Sequence, residues 1–490
     1  GAPTREELER LPAPALPSAT ERNLAIESGI ERAPCPLAAP DFQNISITLS
    51  AVEFSGLPAE LQPRLAPAYA SSIGKTVAIA SVCDIRDQAA TILRRAGYLA
   101  AVQVPPQRIE NGAIRFDVLL ARIVGFQVRG DAGKSERMIE AYLEEIRKQP
   151  VFNLFEAERY LLLARDIPGL DVRMTLRPAG TAAGEVIGDV QLLRTPIELD
   201  ANIQNSGSKE AGRFGGLAQL RLNRLFGAGD RTIVGAYSTA DFEEQTVIQI
   251  GQEFRIGREG LTIAGDFTHA WTRPTIDPAI DLRTRPLVAS LEARYPIVRR
   301  QTRNLFGSIG FDAINQRTRF NTLPLTRDRL RVLYGRLDFD AIDELSLGTA
   351  KGYSPAEPRW RAAGSIELRQ GLGILGASKS CGAGAVACAQ PGTTPPSRLA
   401  ADTTAFLVRA GGLVETRPVP AFAISVSPRI QYARRPLLSY EEFSAGNFTV
   451  GRGYDPGTLI GDSGAGIATE LRLGSLVPNS ARDAAFKAYF

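Results

Sequence analysis

The sequence is poor in the residues most chemistry needs. It holds one histidine, His269, two methionines and two tryptophans in 490 residues. One imidazole cannot build a His-based metal site, and no Ser or Asp stands in motif spacing to it for a hydrolytic triad. "SSIGKT" holds the end of a phosphate-binding loop, but Tyr69 stands where the first glycine is required. The net charge is only +4, and no five basic residues run together, so the chain carries no nucleic-acid footprint. It is read as a non-enzyme, with no cofactor, no metal and no nucleic-acid partner. Also missing is any stretch near the roughly 20 apolar residues of a transmembrane helix. That absence leaves β-barrels open, because they carry their hydrophobicity by alternation.

Four cysteines are present, none at C-x-x-C spacing. Cys381 and Cys388 lie in the small-residue loop "CGAGAVAC", and Cys35 and Cys83 flank the first folded module. Two disulfides, Cys35–Cys83 and Cys381–Cys388, are expected in an oxidising compartment; buried free thiols are the alternative.

Residues 1–41 combine "TREELERL", a short helix with Thr4 and Glu7 at capping-box spacing, with a Pro/Ala-rich linker. Residues 42–122 and 123–195 then repeat one order: strand, helix, helix, strand, strand. In the first, "IRDQAATILRRAGY" is helical and stops at Gly97, and two strands flank an Asn-Gly turn. In the second, Ser135 and Asn153 stand as N-caps of two helices. Two helices over a small sheet leave a sheet edge open to an added strand.

From 196 to 490 the helical period vanishes. Ile197, Leu199, Ala201 and Ile203 alternate with Glu198, Asp200, Asn202 and Gln204. About thirteen such segments follow one another, mostly near the 9–11 residues that span a bilayer when tilted. Arg221, Glu253, Arg336, Asp338, Asp340, Glu367 and Arg369 sit mid-strand on the polar side, which suits a water-filled lumen. A soluble sheet with a solvated face is the alternative. If the barrel starts on the side of the modules, the long connection 372–397 and the loop 434–464 lie on the far side. "FGAGD", "GREG" and "ETRPVP" lie near, and so does the long "ELSLGTAKGYSPAEP", against the pattern.

The loop "VGRGYDPGTLIGDSG" is followed by strand-like "IATELRLG". Gly451, Gly453 and Gly457 allow tight packing and positive φ, and present Arg452, Tyr454 and Asp455. Two modules, a barrel and this R-G-Y loop resemble the polypeptide-transport-associated (POTRA) modules and barrel of two-partner secretion transporters, the TpsB class of the BamA-like superfamily. The likeness runs over residues 42–490. One departure is Gly451, where many members carry Val.

The resemblance implies an α+β pair of POTRA modules followed by an antiparallel transmembrane β-barrel, of about sixteen strands in the family. It implies a bacterial outer-membrane location with the modules in the periplasm. It further implies export of a secreted β-helical, TpsA-like exoprotein that the modules bind, by a monomer embedded in outer-membrane lipid. A BamA-like assembly factor is the alternative, with typically more modules. The resemblance also implies an N-terminal helix that plugs the pore, here the short "TREELERL", and a lumen loop whose arginine binds an acid on the inner wall. In the family that acid lies in an F-x-D motif on the strand after "ELR". Phe490 stands where the motif would begin, so the expectation is a natural chain that continues past Phe490 with an acid and about three more strands.

Overall fold

The structure is a computed structural model describing residues 4–8, 35–42, 44–227, 229–275, 280–348, 352–447, 449–475 and, as backbone, 486–489. Most of the Pro/Ala linker, residues 476–485 and Phe490 lie outside the described residues.

A four-residue helix, α1 (Arg5–Leu8), opens the chain. Its capping box forms: the Thr4 backbone N–H donates to Glu7 at 2.8 Å, and the Glu7 N–H donates to Thr4 Oγ1 at 3.3 Å.

The first module contains β1 (Ser46–Thr48), β2 (Ala51–Ser55), β3 (Thr76–Ala78), α2 (Ser81–Arg95), β4 (Ala100–Gln103) and β5 (Ala113–Leu120). Val82, Ile85, Ala89 and Leu93 form one stripe on α2, which packs on the alternating Ile114, Phe116 and Val118 of β5. The sheet order is β2-β5-β4, with β2 parallel and β4 antiparallel to β5. Gly112, at φ +74°, completes the Asn-Gly turn, and a Cβ there would lie 1.8 Å from the Thr48 carbonyl oxygen. The expected first helix of this module is absent. Two 3-10 turns, Gln62–Ala68 and Ala70–Ser72, replace it. Pro67 removes an N–H donor that an α-helix would need there, whereas Pro63 stands in the first turn, where none is needed.

The second module follows as β6 (Arg122–Arg129), α3 (Glu136–Arg147), α4 (Leu154–Arg165), β7 (Leu170–Pro178) and β8 (Glu185–Arg194). Its sheet order is β6-β8-β7, again with one parallel and one antiparallel pairing. Asn153 caps α4 by accepting from the Phe155 N–H at 2.9 Å. Ser135 stands at the N-cap of α3 but makes no capping bond, and its buried hydroxyl has no hydrogen-bond partner among the described residues.

Thirteen strands then form one antiparallel sheet among the described residues. They are β9 (Ile197–Gln204), β10 (Gly215–Asn223), β11 (Arg231–Thr239), β12 (Gln245–Ile256), β13 (Leu261–Thr272), β14 (Leu282–Arg299), β15 (Arg303–Phe320), β16 (Leu323–Ile342), β17 (Trp360–Gly371), β18 (Phe406–Val419) and β19 (Phe422–Ala433), then β22 (Gly464–Ser475) and β23 (Phe486–Tyr489). A short hairpin, β20 (Phe443–Ala445) with β21 (Leu459–Gly461), lies inside the connection from β19 to β22. Each strand pairs with its sequence neighbour, and β9 and β23 are the two edges. Outward apolar positions such as Leu199, Ile203, Leu291, Ile309, Ile366, Val414 and Ile467 are exposed, whereas the alternating polar positions face inward. Apolar outside and polar inside is the arrangement of a membrane barrel, the reverse of a soluble sandwich.

The second module docks on the turns predicted to be near. Lys134 Nζ donates to the Leu225 carbonyl at 2.6 Å and Arg224 to the Ala132 carbonyl at 2.7 Å. Arg159 pairs with Glu259 at 3.1 Å, and Arg299 reaches Asp166 through two bonds of 2.7 and 2.9 Å. The long near connection, 343–359, has its own reason. It carries buried Glu357 to Arg417 at 3.5 Å, and Tyr353 donates to the Arg417 carbonyl at 3.1 Å, closing part of the near rim.

Cys35 is joined to Cys83, and Cys381 to Cys388. The first bridge ties the chain before β1 to the first turn of α2. A Cys83→Ser variant should lose about 2–4 kcal/mol in the first module, read as a lower unfolding temperature. Mass spectrometry of non-reduced protein showing four free thiols would refute both bridges.

Candidate functional site

Mid-strand charges would be intolerable in lipid, but alternation turns them into the barrel. There they must satisfy one another. The centre of this network is Glu441, from the connection 434–463 and nearly fully buried. It accepts from Arg369 at 2.8 Å and from Arg409. Arg369 also holds Asp312 at 2.7 Å and Glu367 at 3.2 Å, and Arg409 lies 3.7 Å from Glu367. Burial alone would push the Glu441 carboxyl up, but Arg369 and Arg409 hold it down at about 2.

The neighbouring residues pack the same loop inward. Leu438 and Tyr440 join a lumen cluster with Tyr237, Val247, Ile314, Leu330, Val332 and Leu8 of α1. Asp462 anchors the loop's return by accepting from the Leu437 N–H at 2.7 Å and from Arg398.

Helix α1 sits against both wall and loop. Glu6 pairs with Arg429 of β19 and accepts from Ser444 of β20 at 2.9 Å. Gln249 of β12 donates to the Leu8 carbonyl at 3.1 Å. Burial would raise the Glu6 carboxyl, yet Arg5 and Arg429 lower it to about 2. Below α1 a cavity of about 920 Å3 is lined by Arg221, Glu253, Arg336 and Arg369 among others. A second, of about 810 Å3, lies between the second module and the near end of the lumen, with Asp166, Asp171, Glu198 and Arg231 on its walls.

The R-G-Y residues lie further out. Gly451, Gly453 and Gly457 have φ of +112°, +93° and +69°. Gly446, which the sequence reading did not single out, packs closest: a Cβ there would lie 2.4 Å from the Asp455 carbonyl oxygen. Arg452 is 82% exposed and reaches Glu470, an inward residue of β22, at 3.3 Å. Its partner among the described residues is thus the acid of "ELR" itself, not one on a later strand. Tyr454 is exposed. Asp455 faces the β9–β10 connection, with the Lys209 N–H at 3.4 Å and Arg213 at 3.9 Å. Asn447 donates to the Ser206 carbonyl at 3.1 Å, so the loop spans from β19 to the connection after β9.

Sequence reasoning named Arg369 and Glu367 but missed Glu441, Arg409, Glu6 and Arg429. Arg409 and Arg429 carried a usable signal, being charges at polar positions of alternating strands. Glu441, in "LLSYEEF", carried none, since its burial depends on where the loop folds.

Removing Glu441 leaves buried arginines without their shared carboxylate. Glu441→Gln should cost about 3–5 kcal/mol and raise the open-channel fraction in planar bilayers. Arg452→Ala should cost about 0–1 kcal/mol, as for an exposed pair. Equal effects on unfolding temperature would contradict this ranking. Because the Glu6 and Glu441 carboxyls fall from the usual 4.5 to about 2, their contribution is full above pH 4.5 and lost as pH falls toward 2. Conductance should stay constant from pH 7 to about 5 and rise below 4.5. A transition centred near neutrality would refute that assignment.

No protein-family profile matches the chain. The heme/hemopexin transporter protein HuxB of Haemophilus influenzae (strain 86-028NP) is 24% identical over 168 residues, spanning 32% of this chain and 28% of HuxB's own length. CdiB from Escherichia coli superposes with a TM-score of 0.68 at 15% identity, over 96% of this chain and 86% of that one. CdiB from Acinetobacter baumannii gives 0.61 at 15%, over 93% and 82%. The chain has the fold of these CdiB structures: two small α+β modules followed by an antiparallel β-barrel with an apolar outer face and a charged interior.

Proposed function

We propose that the protein exports a secreted partner protein across the outer membrane, through its own barrel, after the two modules have received it. One observation carries this reading. The lumen is charged along its length, and two separable pieces of chain, α1 and the loop 434–463, fill it. A passive pore has no need of either. Helix α1 is the resting plug, and the loop is the element that must shift for a chain to pass.

The modules act first. β2 and β4 are sheet edges in one module, and β6 and β7 in the other, among the described residues. An extended segment of the partner adds to such an edge by main-chain hydrogen bonds. From there it meets the near cavity, which the second module's clamp on the turns holds in line with the lumen. The partner is a TpsA-like β-helical exoprotein, and the transporter works as a monomer. Two modules favour this reading over a BamA-like assembly factor, which typically carries more. No nucleotide site is visible in the sequence, so folding of the partner outside the cell supplies the driving force.

The test is secretion by purified protein in proteoliposomes without nucleotide. Translocation of the partner, and calorimetric binding of its N-terminal domain to the full chain, are expected. An absolute requirement for a nucleotide-hydrolysing factor, or no detectable binding, would reject the proposal.

A further inference from the structure

Three adjacent strands carry an arginine patch that export does not use. Arg283 and Arg285 on β14, Arg317 and Arg319 on β15, and Arg327 on β16 lie at the far ends of their strands. The register sets them directly opposite one another: Arg283 against Arg319, Arg285 against Arg317, and Arg317 against Arg327. Like charges opposed across antiparallel strands destabilise a sheet. A bound anion would relieve five of them at once. Asp281 answers Arg283 at 2.6 Å and also Arg273. Arg285, Arg317 and Arg327 form no ion pair among the described residues.

The patch faces outward. Thr284, Gln316 and Asp328, which alternate with these arginines, are buried on the lumen side. The same outward rows carry Leu291, Ile309, Leu333 and Leu337, all exposed. Arg285 lies six positions beyond Leu291, about 20 Å along the strand and less along the membrane normal once tilt is included. Half of an apolar belt about 25 Å tall is a similar height. The arginines therefore stand at the outer rim of the belt, around a groove of about 750 Å3.

We propose that this patch binds the phosphorylated headgroup of an outer-leaflet lipid. Guanidinium forks match phosphate oxygens in pairs, and phosphate carries the charge needed to relieve the opposed arginines. The secreted partner leaves by the lumen, on the opposite face of these strands, so a lipid fits the position better than a protein does.

The experiment compares the full chain with R285Q/R317Q/R327Q and with R285K/R317K/R327K, each purified in detergent and checked for heat-modifiable migration. The probes are bisphosphorylated lipid A, phosphate-free lipid A, phosphatidylethanolamine and inorganic phosphate, read by native mass spectrometry and thermal shift. The wild type should prefer bisphosphorylated over phosphate-free lipid A at least tenfold. The glutamine variant should lose that preference, yet melt higher than wild type when no lipid is added. The lysine variant should keep part of the binding and gain no stability. Unchanged lipid A binding by the glutamine variant overturns the proposal, as does equal binding of phosphate-free lipid A or phosphatidylethanolamine. Displacement of lipid A by millimolar inorganic phosphate reassigns the patch to a free anion and overturns the lipid. Protection of these arginines by the secreted partner rather than by lipid A overturns it too. Should the glutamine variant fail to fold, the wild-type preference alone decides, and its absence is a refutation.

Discussion

A carboxylate held between two buried arginines sets the state of this barrel. Glu441 comes from a loop, and Arg369 and Arg409 from the wall, so the contact exists only while the loop is inside. Taking three such charges from water costs more than their attraction returns unless the surroundings complete them. Asp312 and Glu367 complete Arg369 and Arg409 on the wall side. Arg5 of α1 bears on the same cluster and supplies a third positive charge against the carboxylates of Glu367 and Glu441. Helix and loop therefore complete one electrostatic unit. Withdrawing either leaves uncompensated charge in the lumen, which water must then enter to solvate.

That unit explains why the filling of the lumen is mixed in character. The apolar contribution is small: Leu8, Leu438 and Tyr440 meet a handful of wall residues. A lumen packed like a globular core would not release its contents. One held mainly by paired charges and hydrogen bonds can, because water can replace those partners one at a time. The wall itself is indifferent to the exchange, since its backbone groups are paired strand to strand and do not depend on what fills it.

The near end is built to the opposite standard. Arg299 is almost fully buried and doubly bonded to Asp166, and further contacts tie the second module to the turns after β10, β12 and β14. The near end is thus held by buried, doubly bonded pairs, whereas the interior is held by pairs that water can exchange. The outward face is a third environment. It carries rows of exposed apolar residues, with the opposed arginines of β14, β15 and β16 at the far ends of their strands.

Alternation of Ile197 to Gln204 and its successors was enough to make a barrel legible, because side-chain direction in a strand is a local property. The inward placing of Arg221, Glu253, Arg336, Glu367 and Arg369 followed from the same rule, and so did the parity of the connections. The Thr4–Glu7 box and the Asn153 cap are local as well, and both formed. Where two local preferences competed, as at Pro67, the missing backbone donor decided against an α-helix. Which inward charges meet is another matter. Arg452 looked like the principal anchor of its loop, but it finds Glu470 at the exposed edge, while Glu441 takes the buried position. That choice depends on the path of a thirty-residue connection across the lumen and on the strands it crosses. The opposed arginines of β14, β15 and β16 likewise needed the pairing register, which no single strand contains. Sequence determined which face each residue takes; only the curvature and register of the sheet decided its partner, because ion pairs between strands depend on distances that local geometry does not set.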